Sequence, residues 1–297
     1  MHHKTTLLSG ILLICLLLSG SAMASDITSS AANMTYTGIY PDKTLHLKNG
    51  AWQGKPYMPG AAVRPRVGLI KDFSFRGDLN HDGQPEQIVF LWESSGGSGT
   101  RVYMAVNTYH NGHWINLATT LVGDRVQLQM GRVNRGKIEL DVIQAGENDA
   151  ACCPTHRVVR SWSLKDNQLM EHDPLLLGQI SVKDLQGPKW QLLKLNWQEK
   201  IPADMNIFIQ FDDHKVSGQS ACNRFTTTIK EGKLAGEISF GPIAATRKFC
   251  DPHIMELEER FLNALKHVRG FGFINGQLTL EWQDDSAVST LFFKAVL

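Results

Sequence analysis

Past its first 24 residues this 297-residue chain has no apolar run long enough to span a bilayer as a helix. It also lacks an excess of either charge. One of its 30 basic side chains, Lys4, lies in the leader, and the rest balance 29 acids. That balance excludes nucleic acid and an anionic membrane surface as expected partners, since both select strongly basic patches. No His-Glu-x-x-His pair occurs, so zincin chemistry is not expected. No cysteine follows Ala24 directly, so no lipid anchor is expected there.

What stands at the N-terminus reads as an export signal. Lys4 supplies a basic start, Leu7 to Leu18 is mostly Leu and Ile, and Ala22-Met23-Ala24 is a small-x-small cleavage site. The pattern predicts a signal peptide over 1–24, cut after Ala24, and a periplasmic or secreted location. At 42% hydrophobic and 20% charged residues the composition is that of a folded protein. The length suits two domains.

Of five cysteines, Cys15 lies in the leader. The even count that remains favours disulfides in an oxidising compartment. Cys152 and Cys153 are adjacent, with Cα atoms about 3.8 Å apart across a trans peptide, short of the roughly 4.4–6.8 Å usual for a bridge. Their pairing stays open. Cys222 with Cys250 is the natural pair, closing a loop worth roughly 3–4 kcal/mol in the chain-entropy picture.

Most of the mature chain reads as strands. Gln87 to Trp92, Arg101 to Tyr109, Lys137 to Ile143 and Arg157 to Leu164 are rich in β-branched and aromatic residues between Gly- and Asn-bearing turns. Asn111-Gly112 predicts a hairpin joining Arg101–Tyr109 to Trp114–Leu121. Strand-like runs resume at Ile207–Phe211, Arg224–Ile229, Gln277–Trp282 and Val288–Val296, after a looser stretch, Asp173 to Pro188. One helix is predicted, with Asp251 as N-cap, Pro252 at its first position and Gly270 as its stop. Ile254, Leu257, Phe261, Leu265 and Val268 would form its buried face.

The second half carries a recognisable order of motifs. Ser217–Phe225 reads SGQSACNRF, Ala245–Cys250 reads ATRKFC, and a helix with Glu258 follows. This resembles the META/HslJ domain family, and Trp190-Gln191-Leu192 matches that family's usual opening. The resemblance covers about Trp190 to Leu297. It implies a small α+β fold of bacterial envelopes and brings no catalytic site. Two positions depart from the pattern: Ala221 stands where a Gly usually precedes the cysteine, and Thr226-Thr227-Thr228 replaces the Gly expected after Phe225. The first half, about Tyr36 to Leu177, carries GDLNHDG, GGSGT, GDRV and DAACCPT and resembles an uncharacterised exported bacterial domain, without an activity.

The candidate sites are few. In GDLNHDG and the residues after it, Asp78, Asn80 and Asp82 take positions 1, 3 and 5 of a calcium loop, the Gln84 carbonyl position 7 and Glu86 position 9. Val89 at position 12 excludes a helix–loop–helix hand. The alternative is a turn in which Asp and Asn bond their own backbone. Ser98 lies in GGSGT, where Thr100 replaces the second Gly that a nucleophile elbow needs, so a hairpin loop is expected. Cys153 and His156 could open a zinc or redox site, but no further ligand follows at a matching spacing, and structural sulfurs are expected. Asp124 and Arg125 should form a surface ion pair or cap. Asn223, Arg224 and Glu258 should hold the turn to the helix.

The expectation is an α+β protein of two strand-rich domains, 36–177 and 188–297, after a signal peptide over 1–24 and a disordered linker over 25–35. The second domain would be an antiparallel sheet packed on one main helix. The protein would bind an unknown envelope protein or small ligand without catalysis, in a stress-related role, with calcium the one candidate cofactor. Its rivals are an inhibitor of a secreted enzyme and a hydrolase using the first domain. The hydrolase would need Ser98, His156 and an acid within hydrogen-bond reach of one another.

Overall fold

The computed structural model describes residues 27–150, 153–202, 204–285 and 288–296. In the N-terminal half the apolar residues sit on consecutive positions: Ile88, Val89, Phe90 and Leu91 are all buried. Successive strand side chains point to opposite faces, so such a run needs cover on both sides of its sheet. Two further layers supply it.

Strands β1 (Thr35–Tyr40) and β2 (Lys43–His46) form a hairpin. The central antiparallel sheet runs in chain order through β3 (Ala51–Gln53), β4 (Arg66–Gly77), β5 (Glu86–Ser94), β6 (Arg101–His110) and β7 (His113–Asp124). A second sheet contains β8 (Gln127–Asn134), β9 (Lys137–Gln144), β10 (His156–Lys165), β11 (Gln168–Glu171) and β12 (Leu175–Gln179), the last paired to β10. Ile88, Phe90 and Met104 pack with Leu140 and Trp162 of the second sheet. Val89, Leu91 and Ala105 turn the other way, onto the β1–β2 hairpin.

That outer core also takes in residues expected to be disordered linker. Residues 27–31 are helical, and Ile27, Ala31, Ala32 and Met34 are buried. The small side chains that suggest flexibility in the sequence let this segment lie close to the sheet. Tyr36 fixes it by donating its hydroxyl to the Ala31 carbonyl at 2.9 Å.

The C-terminal half is one antiparallel sheet and one helix. Its strands are β13 (Lys189–Lys194), β14 (Ile207–Asp212), β15 (Lys215–Ser220), β16 (Arg224–Glu231), β17 (Ile238–Phe240), β18 (Ala244–Ala245), β19 (Val268–Ile274), β20 (Gln277–Gln283) and β21 (Val288–Val296), with helix α1 (Pro252–Lys266) before β19. The sheet order is β17-β16-β15-β14-β13-β21-β20-β19, and β18 pairs with β16. The Phe271 N–H donates to the Gly236 carbonyl at 2.8 Å, so the two ends of the sheet meet. Phe261 and Leu265 of α1 are fully buried in the core they enclose.

Two boundaries differ from the sequence expectation. The helix ends at Lys266, with His267 as its C-cap, rather than at Gly270. Val268, expected on the helical face, opens β19, where Val268, Phe271 and Phe273 are buried from an extended backbone that suits β-branched and aromatic residues. The C-terminal core also begins before residue 188. Ile180, Val182 and Leu185 belong to it, the last two in a 3-10 turn, Val182–Leu185. A single short turn carries no periodicity to announce it, and its place is fixed by the Trp190 indole, which donates to the Leu185 carbonyl at 2.8 Å.

The halves are joined as well as adjacent. Gln127 Oε1 accepts the Phe273 N–H at 2.9 Å, and the Gly276 N–H donates to the Leu128 carbonyl at 2.8 Å. Arg157 on β10 lies between Asp141 of β9 and Asp184 of the 3-10 turn, bonded to both.

Candidate functional site

The Asp78–Glu86 segment is a tight polar loop between β4 and β5, with His81 and Gly83 at φ of 62° and 84°. Its oxygens are used by its own amides. Asp78 Oδ2 accepts the Gly83 N–H at 3.0 Å, Asn80 Oδ1 the Asp82 N–H at 2.9 Å, and Asp82 Oδ1 the Gln84 N–H at 2.7 Å. The Asn80 amide donates to Asp82 Oδ2 at 3.0 Å. Glu86 is fully buried and takes the Leu79 N–H at 2.9 Å and the Thr108 hydroxyl at 3.3 Å. Burial pushes its carboxyl above the usual range, the Asp82 charge adds to that, and the Leu79 and Thr108 donors oppose it. Asp78 Oδ1 alone is buried without a partner. Asp78, Asn80 and Asp82 thus bond backbone amides of their own loop, as the turn reading expects. Among the described residues no three His, Cys, Asp or Glu side chains are arranged to hold a metal ion.

The hydrolase constellation is not assembled. Ser98 accepts from Arg125 Nη2 at 3.3 Å, and Arg125 pairs with Asp124 at 2.7 Å, the ion pair expected there. Asp124 also caps the hairpin loop by accepting the Thr100 N–H at 2.9 Å. His156 sits instead by Asp149, at 3.4 Å, and by Thr155. Asp149 accepts the N–H groups of Gly146 and Thr155 at 2.9 and 2.7 Å, and chiefly the former holds its carboxyl down at about 2. Cys153 is disulfide-bonded. Its partner is neither Cys222 nor Cys250, which are joined to each other, and Cys152 lies outside the described residues.

In the C-terminal half the motif residues converge on a clamp. Cys222 and Cys250 form a disulfide with Cα atoms 6.0 Å apart. Glu258, on the inner face of α1, accepts from Ser220 Oγ at 2.7 Å, from the Cys222 and Asn223 N–H groups at 3.1 and 2.7 Å, and from Asn223 Nδ2 at 2.8 Å. Asn223 Oδ1 then accepts from Thr246 Oγ1 and the Lys248 N–H, both at 2.7 Å. Glu258, Asn223 and Ser220 are all buried. Arg224, grouped with them in the sequence, is exposed and stands outside the clamp. Ala221 keeps a φ of 92°, the conformation a glycine would take without strain. The Glu258 carboxylate and the Asn223 side chain are buried and matched to donors from the turn and from the Thr246–Lys248 segment, so the clamp braces the helix against the turn.

What remains open lies between the halves. A groove of about 990 Å³ is bounded by the β4 bulge, β8 and the β19–β20 turn. The bulge arises where the β4–β5 register jumps from Ile70 to Ser74, which frees Lys71, Asp72 and Phe73 from the ladder. Asn275-Gly276 makes the facing turn, and a Cβ on Gly276 would lie 2.9 Å from the Phe73 ring. Lys71, Lys294 and Gln277 line the groove, as does Gln129, whose Oε1 is buried without a partner. The sequence names the turn but not the site, because its residues come from seven separated segments.

Residues 183–295 match the family model of the META domain. Two solved structures resemble it in part. One, an NMR structure of a protein, is 28% identical, covers 39% of this chain and 95% of that one, and superimposes with a TM-score of 0.33. The other, the NMR structure of a protein from Burkholderia xenovorans, is 23% identical, covers 39% and 86%, and gives a TM-score of 0.31. No curated protein matches the chain.

Proposed function

From a chain whose residues 183–295 match the family model of the META domain, we propose an exported, non-enzymatic envelope protein that acts by binding, in a stress-associated setting. The observation that carries this reading is the groove between the halves. Its walls offer amides and two lysines against one carboxylate, Asp72, while Glu258 and Asp149 serve as braces. Such a polar, weakly basic cleft where two units meet suits a small polar ligand with an acidic group. The test is a pull-down from periplasmic extract with the full mature chain and with Lys71→Glu/Lys294→Glu. A species held by the first and lost from the second is expected; equal retention by both overturns the groove reading.

Phe249 favours a second reading, inhibition of a secreted enzyme. Its side chain is 95% exposed one residue before the disulfide that anchors its loop. A Phe249→Ala variant that captured the same periplasmic hydrolases as the parent would dismiss it.

A further inference from the structure

On the META half, away from the groove and the clamp, a cavity of about 430 Å³ opens between the β13 end, α1 and the β20–β21 hairpin. We propose that it is a binding site for a neutral glycan, with a pyranose ring seated against Trp197. It does not depend on the groove reading.

The site is built by the chain itself. Asn196 Oδ1 accepts the Gln198 and Glu199 N–H groups at 2.9 and 2.8 Å, and this turn holds Trp197 out at 62% exposure. The ring does not swing freely, because it stands edge-on to Phe292 with centroids 4.7 Å apart. An indole kept rigid and open is a costly thing to leave in water, and it binds with little further loss of freedom. Trp282, partly buried against the core, lines the cavity from β20 and adds a second indole to its wall.

The charges of the cavity select the ligand class. Its one cation, Arg260, is held by both oxygens of Glu199, at 3.0 and 2.5 Å, so neither sign is left over to recruit an anion or a quaternary ammonium. Around the two indoles stand Asn263, Ser289 and Gln198, neutral groups that both donate and accept. An apolar face for stacking, bordered by neutral two-way hydrogen-bonding groups, matches a sugar ring, which has C–H bonds on one face and hydroxyls at its rim. Lipid or aliphatic ligands would leave the amides unpaired.

The probes are immobilised chitotetraose, cellotetraose and maltotetraose, with the full mature chain in solution. At least one should retain the protein and shift the tryptophan emission to the blue. Trp197→Ala should weaken that binding at least tenfold, and Trp197→Phe by less, because a stacking face survives. Neither change should move the melting temperature by more than a few degrees, since the side chain is mostly exposed. Lys71→Glu/Lys294→Glu should bind the glycan like the parent, so this site and the groove succeed or fail separately. No retention on any of the three sugars at millimolar concentration, or equal retention by Trp197→Ala, overturns the proposal.

Discussion

Each half of this protein buries a glutamate under a turn, and the two do it by different means. Glu86 lies at the foot of its own loop and accepts from Leu79, seven residues away. Glu258 reaches from a helix to a turn 35 and 36 residues earlier, and a disulfide brackets the same turn. The first brace can form as soon as its hairpin does. The second waits for the helix to dock, and so ties local order to the whole fold. Long-range braces are costly to lose, because their donors have no nearby substitute.

The largest expected effect concerns where the C-terminal half begins. A fragment from Pro188 lacks Ile180, Val182 and Leu185, three buried side chains each worth roughly 2 kcal/mol. Urea melts should show it far less stable than a fragment from Gln179, or unfolded. Equal stability would return the domain boundary to residue 188.

Glu258→Ala should cost about 3–5 kcal/mol, because it strands the buried Cys222 and Asn223 N–H groups and removes one acceptor each from Ser220 and the Asn223 amide. Glu86→Ala should cost only about 1–2 kcal/mol, since the burial that raises its pKa is a cost relieved with it. The reverse order in denaturant melts would break the contrast between the halves.

Asp149 sharpens the contrast on the N-terminal side through pH. Its folded pKa, near 2, is below the ordinary value of 3.8, so its stabilisation is complete above pH 4 and is lost as pH falls from about 4 to 2. Asp149→Asn should lower stability at pH 7 by about 1–2 kcal/mol, allowing for screening by solvent, and flatten that acid limb. An unchanged limb would assign the acid sensitivity elsewhere.

Ala221 predicts a gain. Ala221→Gly relieves a positive φ and should raise stability by about 1 kcal/mol, read as a higher urea midpoint. A loss would mean the turn tolerates its alanine. The smallest effect is expected at the Asp78–Glu86 loop. Because Asp78, Asn80 and Asp82 each already accept a loop amide, melting curves in millimolar calcium and in chelator should superimpose. A rise with calcium that Asp82→Ala abolishes and Asp124→Ala preserves would make it a cation loop after all.

Much of this architecture can be read from the chain alone, and the reasons are local. Strands such as Arg101–His110, the helix start at Pro252 and the Asn-Gly turns follow from side-chain shape, the missing proline N–H and glycine's freedom at positive φ. The Cys222–Cys250 bond was legible too, since few pairings of four cysteines were open. Three things were settled only by tertiary contact. Residues 27–34 look soluble and loose, yet a sheet that lacks cover on one face gives them a place to bury. Val268 suits a helix or a strand equally by pattern, and the unpaired edge of β20 decides for strand. The groove and the Trp197 cavity draw on residues from several distant segments. Propensity and periodicity act between neighbours in the chain, whereas a cavity is a property of how separate elements meet, and no short stretch of sequence encodes it.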